Sequence, residues 1–72
     1  MKLPRDVSGE EAVKALVRTG FTVTRQVGSH VRLAKGDRRV TVPLHESLAP
    51  GILQSILRQA SLTVDVFLDA LR

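Results

Sequence analysis

The stretch FTVTRQVGSHVRLAKGDRRVTV, Phe21 to Val42, decides the fold. Apolar and polar residues alternate along it, and two glycine pairs, Gly28-Ser29 and Gly36-Asp37, cut it into three. Alternation is what a strand with one buried face requires, because successive side chains point to opposite sides. Glycine-containing pairs between such runs mark two-residue hairpin turns. The reading predicts strands over 21–27, 30–35 and 38–42, with Pro43 ending the third. In the first strand Phe21, Val23 and Val27 are assigned inward and Thr22, Thr24 and Gln26 outward; Arg25 interrupts the apolar side, as at an edge. In the second, Val31 and Leu33 point inward and His30, Arg32 and Ala34 outward. In the third, Val40 and Val42 point inward and Arg39 and Thr41 outward.

A three-stranded meander needs a cover for its apolar face, and the flanking sequence supplies helices. Upstream, Ser8 and Glu11 stand at the spacing of a capping box, with Val7 and Ala12 at the staple positions. Val13, Leu16 and Val17 form a stripe at helical spacing, while Lys14 and Arg18 face outward. Gly20 suits the position just beyond a helix end, where a left-handed residue is needed. A helix over about 9–19 follows from these features. Downstream, residues 43–49 form a loop holding His45, and Pro50 suits a first helical turn. Ile52, Leu53, Ile56, Leu57 and Ala60 then recur with helical period. Thr63 caps a last short helix carrying Val64, Phe67, Leu68 and Leu71. The order is α-β-β-β-α-α in an α+β layer, with the helices packed on one face of an antiparallel sheet. This is the arrangement of a small double-stranded-RNA-binding-type (dsRBD-like) fold. All of residues 1–72 are read as one domain, residues 1–5 being a lead-in with Pro4 as a stop.

Composition narrows the function. A chain of 72 residues buries only roughly 60% of the surface its unfolded form exposes, so side chains near any site are largely exposed. No cysteine is present, which excludes disulfides and thiolate metal sites. His30, His45 and carboxylates are the remaining ligands, in no recognised metal spacing, so no metal and no cofactor is expected. No apolar run reaches the ~20 residues of a membrane span. None near Met1 resembles a signal peptide, so the protein is read as cytoplasmic with no membrane partner. Eleven Lys and Arg against seven Asp and Glu give a net charge of +4, and arginine outnumbers lysine eight to three. Arginine's planar fork suits phosphate. With two Phe and no Trp or Tyr, there is little aromatic surface on which to stack bases. Backbone and shape contacts to nucleic acid are favoured instead.

Strand parity locates the chemistry. With Val31, Leu33, Val40 and Val42 facing the helices, His30, Arg32, Arg39 and Thr41 lie on the solvated face. His30 follows directly on the Gly28-Ser29 turn, where no glycine side chain obstructs a phosphate. Cutting RNA without a metal needs a base for the ribose 2′-OH, cationic donors for the phosphoryl oxygens and an acid for the leaving 5′-oxygen. Histidine is the natural base, and nearby arginines stabilise the transition state. A surface histidine without function, and arginines that only solvate a sheet, are the competing readings of the same residues.

Several stretches, taken together and in order, resemble one family. Arg25-Gln26-Val27-Gly28-Ser29-His30 resembles the RQ-x-GSH motif of HicA/YcfA-like proteins. Val40-Thr41-Val42-Pro43-Leu44-His45 resembles that family's V-T-V-P-x-H stretch, and the segments 51–60 and 61–68 resemble its last helical region. Ile52 stands where threonine is common and Ser61 where glycine is common. Asp65-Val66 replaces an acidic pair, and the loop between the second and third strands is short. The resemblance implies a toxin of a HicA-HicB type II toxin-antitoxin system, an mRNA interferase with a dsRBD-like fold. It implies RNA as substrate and a HicB-like antitoxin as partner. It also implies that His30 is the catalytic residue and that Gly28 and Ser29 shape its turn. Arg25, Arg32, Lys35 and Arg39 are the candidate phosphate contacts, and His45 is a candidate auxiliary. A non-catalytic RNA-binding or antitoxin-binding module is the alternative.

Overall fold

The computed structural model describes residues 3–72, so Met1 and Lys2 of the lead-in lie outside the described residues. The order is α1 (Gly9–Arg18), β1 (Thr22–Val27), β2 (His30–Lys35), β3 (Arg38–Pro43), α2 (Pro50–Ala60) and α3 (Val64–Leu71). The strands form one antiparallel sheet in the order β1-β2-β3. This is the α+β arrangement expected from the sequence.

The first helix begins and ends as its sequence requires. The Ser8 hydroxyl accepts from the Glu11 N–H and the Ser8 N–H donates to the Glu11 carboxylate, each at 3.0 Å. Two otherwise unpaired N–H groups are thereby satisfied. The Ser8 backbone N–H first, and its side chain second, hold the Glu11 carboxyl below the usual glutamate range. At the other end Gly20 has φ of +107°, and the Gly20 and Phe21 N–H groups reach the Val17 and Leu16 carbonyls. That pairing is the Schellman closure.

The buried stripe of α1 is rotated from the one read in the sequence. Gly9, Ala12, Ala15 and Leu16 face the core, Val13 is half-buried, and Val17 is exposed. Small residues at 9, 12 and 15 let the helix backbone approach its neighbours, so the contact line runs through them rather than through the valines. Gly9 makes the closest approach. Its N–H donates to the His45 carbonyl at 2.9 Å, and a Cβ there would lie 2.0 Å from the Pro43 carbonyl oxygen.

The inner face of the sheet carries Val31, Leu33, Val40 and Val42, all buried against Leu16, Leu53, Ile56, Leu57 and Phe67. The two sides of the sheet are thus unequal, with apolar residues under the helices and polar ones in solvent. The second helix runs beside β3. Its Gln59 accepts from the Thr41 N–H at 3.2 Å and steadies its own amide on Ser55. A backbone donor on the outer side of the edge strand is thereby occupied. Ser61 ends α2 in the left-handed conformation, φ 54° and ψ 40°, and accepts a hydrogen bond from Arg38. The Thr63 hydroxyl caps α3 by accepting from the Val66 N–H at 3.2 Å. This last helix buries Phe67 and packs on α1. Arg18 closes its C-terminus by donating to the Ala70 and Arg72 carbonyls. Among the described residues, no helix is long and apolar enough to cross a membrane.

Candidate functional site

The register of the sheet fixes which side chains share the open face. His30 opposes Val27 on β1 and Pro43 on β3; Arg32 opposes Arg25 and Thr41; Ala34 opposes Arg39. Directly opposed residues project to the same side. His30, Arg32, Arg39 and Thr41 are therefore together on the solvated face, as strand parity predicted, and all four are exposed.

β1 departs from the parity reading. Val23 opposes Leu33 and Arg25 opposes Arg32, so Thr24 is an extra residue and the strand carries a β-bulge. The Thr24 hydroxyl donates to the Arg32 carbonyl at 3.2 Å across this point. One inserted residue inverts the facing of everything after it. Arg25 joins the open face instead of interrupting the inner one, Gln26 turns inward opposite Val31, and Val27 turns outward beside His30. The inward placement of Val27 is thus corrected, and its exposure of 47% agrees with the register. The sequence offers no direct sign of the bulge, apart from a charged Arg25 where the alternation calls for an apolar residue.

Arg25, Arg32 and Arg39, with Thr24 and Thr41, line a shallow depression of about 530 Å³ on this face. Arg25 and Arg32 are like charges directly across the strands, an arrangement that costs stability. Among the described residues the ion pair within 4.0 Å is Lys14 with Glu10, on α1, so no carboxylate neutralises these arginines. Arg39 is partly committed, since it donates to the Gly36 and Arg38 carbonyls of its own hairpin turn. Lys35 lies apart from the group. Its ammonium donates to the Thr19 carbonyl at 2.7 Å and lies over the Phe21 ring, on the helix side of the sheet.

The turn before His30 is held from two sides. Gly28 has φ of +58° and Ser29 does not have a positive φ, the pattern of a type II′ hairpin turn. A Cβ at Gly28 would meet nothing within 4 Å, so the turn is open to solvent. The Gln26 side chain donates to the Gly28 carbonyl, and the Leu44 N–H donates to the Ser29 carbonyl at 2.7 Å. The backbone leading into His30 is thus pinned by β1 and by the segment following β3.

His45 is not brought onto the open face. It lines a groove of about 540 Å³ between α1 and the inner side of the sheet, with Val13, Val23, Gln26, Glu10 and Glu46. Two carboxylates on that rim make it a poor place for a polyanion. Among the described residues, no group of three or more His, Cys, Asp or Glu side chains is gathered to hold a metal.

A family model describing the HicA toxin of bacterial toxin-antitoxin systems matches residues 9–62. The chain belongs to the HicA toxin family. The matched span begins at Gly9, the close-approach residue, and includes all three strands, both hairpin turns and α2; α3 lies beyond it. Membership carries a toxin role within a toxin-antitoxin pair, and with it an antitoxin partner. Among curated proteins, none matches this HicA-family chain.

Proposed function

We propose that this HicA-family protein is an mRNA interferase, an endoribonuclease that cuts single-stranded regions of messenger RNA on the open face of its sheet without requiring a metal. The observation that carries the reading is an exposed His30 at the exit of a pinned glycine turn, on the same face as the unneutralised pair Arg25 and Arg32. In this reading His30 accepts the proton of a ribose 2′-OH. The 2′-oxygen then bonds to the adjacent phosphorus and the bond to the 5′-oxygen breaks. The leaving oxygen takes a proton from solvent or from the protonated His30. The products are a 2′,3′-cyclic phosphate and a 5′-hydroxyl end. Arg25 and Arg32, with Arg39 behind them, hold the phosphoryl oxygens and stabilise their added charge in the transition state. Gly28 and Ser29 keep the approach to His30 free. Lys35 takes no part, because its ammonium is engaged on the other side of the sheet, and His45 lines the groove on that inner side, away from the phosphate.

The same basic face suits an acidic surface on the partner, so a HicB-like antitoxin would inhibit by covering His30. The reaction belongs in the cytoplasm, where messenger RNA is found. The test is cleavage of a long single-stranded RNA by purified protein with EDTA present, run beside a DNA of the same sequence and beside His30→Ala. RNA cutting that survives EDTA, spares DNA and disappears in a folded His30→Ala protein is the expected result. Intact RNA in every lane from folded protein refutes the reading and leaves a binding module.

A further inference from the structure

RNA offers two chemistries, phosphate charge and flat apolar bases, and the open face answers both. The arginines meet the first. For the second, proteins ordinarily supply exposed aromatic rings, but the chain has no Trp or Tyr, and both Phe21 and Phe67 are buried. What lies beside His30 instead is aliphatic. Val27 and Pro43 are its direct neighbours across the two hairpins, one on each flank. Cross-strand neighbours on one face have Cβ atoms on the order of 5 Å apart, so His30 sits between two apolar surfaces.

Among the described residues, the other large apolar side chains with nearly half their surface exposed lie elsewhere. Val17 is on α1, Val66 on α3, and Val23 on the inner side of β1. Val27 alone among these four shares the face of His30 and the arginines, and it does so because the Thr24 bulge inverts the end of β1. The inversion takes a valine out of the inner side and puts it in water. Its position gives that placement a use.

We infer that Val27 and Pro43 form a nucleobase subsite, which seats a base next to the phosphate to be cut. This inference rests on the ribonuclease reading and names how its substrate is held. Aliphatic contact has no donor or acceptor pattern, so the subsite accepts any base. It positions the ribose 2′-OH toward His30 by holding one of the two bases that flank that phosphate. Val27 is a positioning residue here, acting through substrate binding and not on the reacting atoms.

The test separates base contact from phosphate contact. A ten-nucleotide RNA carries 2′-O-methyl groups at all riboses but one, so that attack is confined to a single position. Matched versions lack the base at that ribose or at its 3′ neighbour. Val27→Thr keeps the branched shape and strand preference while exchanging one methyl for a hydroxyl. It is expected to raise KM on the base-bearing oligomer about fourfold, the worth of roughly one buried methylene-sized group. On one of the two abasic oligomers it is expected to match the wild type. An unchanged KM on the base-bearing oligomer, or an equal loss on both abasic oligomers, overturns the subsite. Anisotropy with a fully 2′-O-methylated oligomer keeps the two readings apart. If the wild type cuts no RNA yet binds this oligomer, the ribonuclease reading fails, while a Val27→Thr loss specific to the base-bearing form still supports the subsite. If it binds no RNA, both fall.

Discussion

Gly9→Ala is expected to destabilise the protein, against the ordinary preference of helices for alanine. Propensity alone favours alanine by about 1 kcal/mol in a helix interior, and by less at a first position. The surroundings oppose it. The new Cβ would stand 2.0 Å from the Pro43 carbonyl oxygen and 2.8 Å from the Leu44 Cα, both main-chain atoms that cannot rotate away. Relieving the first contact requires α1 and the segment after β3 to separate by at least about 1 Å. The Gly9 N–H bond to the His45 carbonyl, now 2.9 Å, does not survive that separation. Losing it costs about 1 kcal/mol, and the repacking adds roughly 1–3 kcal/mol. The net expectation is about 2 kcal/mol lost, or a fall in Tm of roughly 8–16 °C for a domain of this size. Denaturant unfolding of the two proteins with a shared slope measures it. A Gly9→Ala protein as stable as the wild type, or more so, would refute the close approach of α1 to Pro43. Because Pro43 flanks His30, the same variant is expected to lose cleavage beyond its loss of folded protein.

Other perturbations probe separate parts of the fold. Ser61→Gly is expected to stabilise by about 1 kcal/mol, because glycine takes the left-handed conformation without penalty and the lost Arg38 contact is exposed; thermal melts decide. Glu11 titrates lower in the folded protein than unfolded, so its stabilising contribution is present above the unfolded value and is lost as pH falls through the folded one. Glu11→Gln should therefore be less stable than wild type at neutral pH, with the difference shrinking on acidification; a constant difference would count against the capping box. Arg25→Ala removes a like-charge neighbour from Arg32 and is expected to gain about 0.2–1 kcal/mol at low salt. The gain should fade as salt is added, while RNA affinity drops and its salt dependence flattens.

Much of this structure is legible in short-range sequence features. Ser8 and Glu11 announce the start of α1 and Gly20 its end, while Thr63 announces α3. The alternation in β2 and β3 places His30, Arg32, Arg39 and Thr41 on the solvated side with no correction needed. These features are local, and each is decided within a few residues. What the sequence hides is set by partners far along the chain. The bulge at Thr24 is a property of how β1 meets β2, so counting residues in β1 alone misplaces Arg25, Gln26 and Val27. The buried stripe of α1 depends on where Pro43 and α3 lie, which helical spacing alone does not reveal. Lys35 follows the basic pattern of its neighbours in sequence, yet its ammonium is drawn to Thr19 and Phe21 across the sheet. On the open face, parity places His30 and Arg32, and the register is needed to add Arg25.

The Thr24 bulge also bears on self-association. A sheet of three strands has two rims, and an unpaired rim invites another strand to extend it. Along β3, α2 lies close and Gln59 takes up the Thr41 N–H. Along β1 no element of the described chain pairs with the rim, and the strand is exposed over its whole length. The bulge breaks the regular repeat of outward N–H and C=O groups there and bends the strand, which is how natural sheets discourage growth by addition. A single inserted residue thus turns Arg25 onto the open face of a small, arginine-rich protein and, at the same place, interrupts the regularity of its unpaired rim.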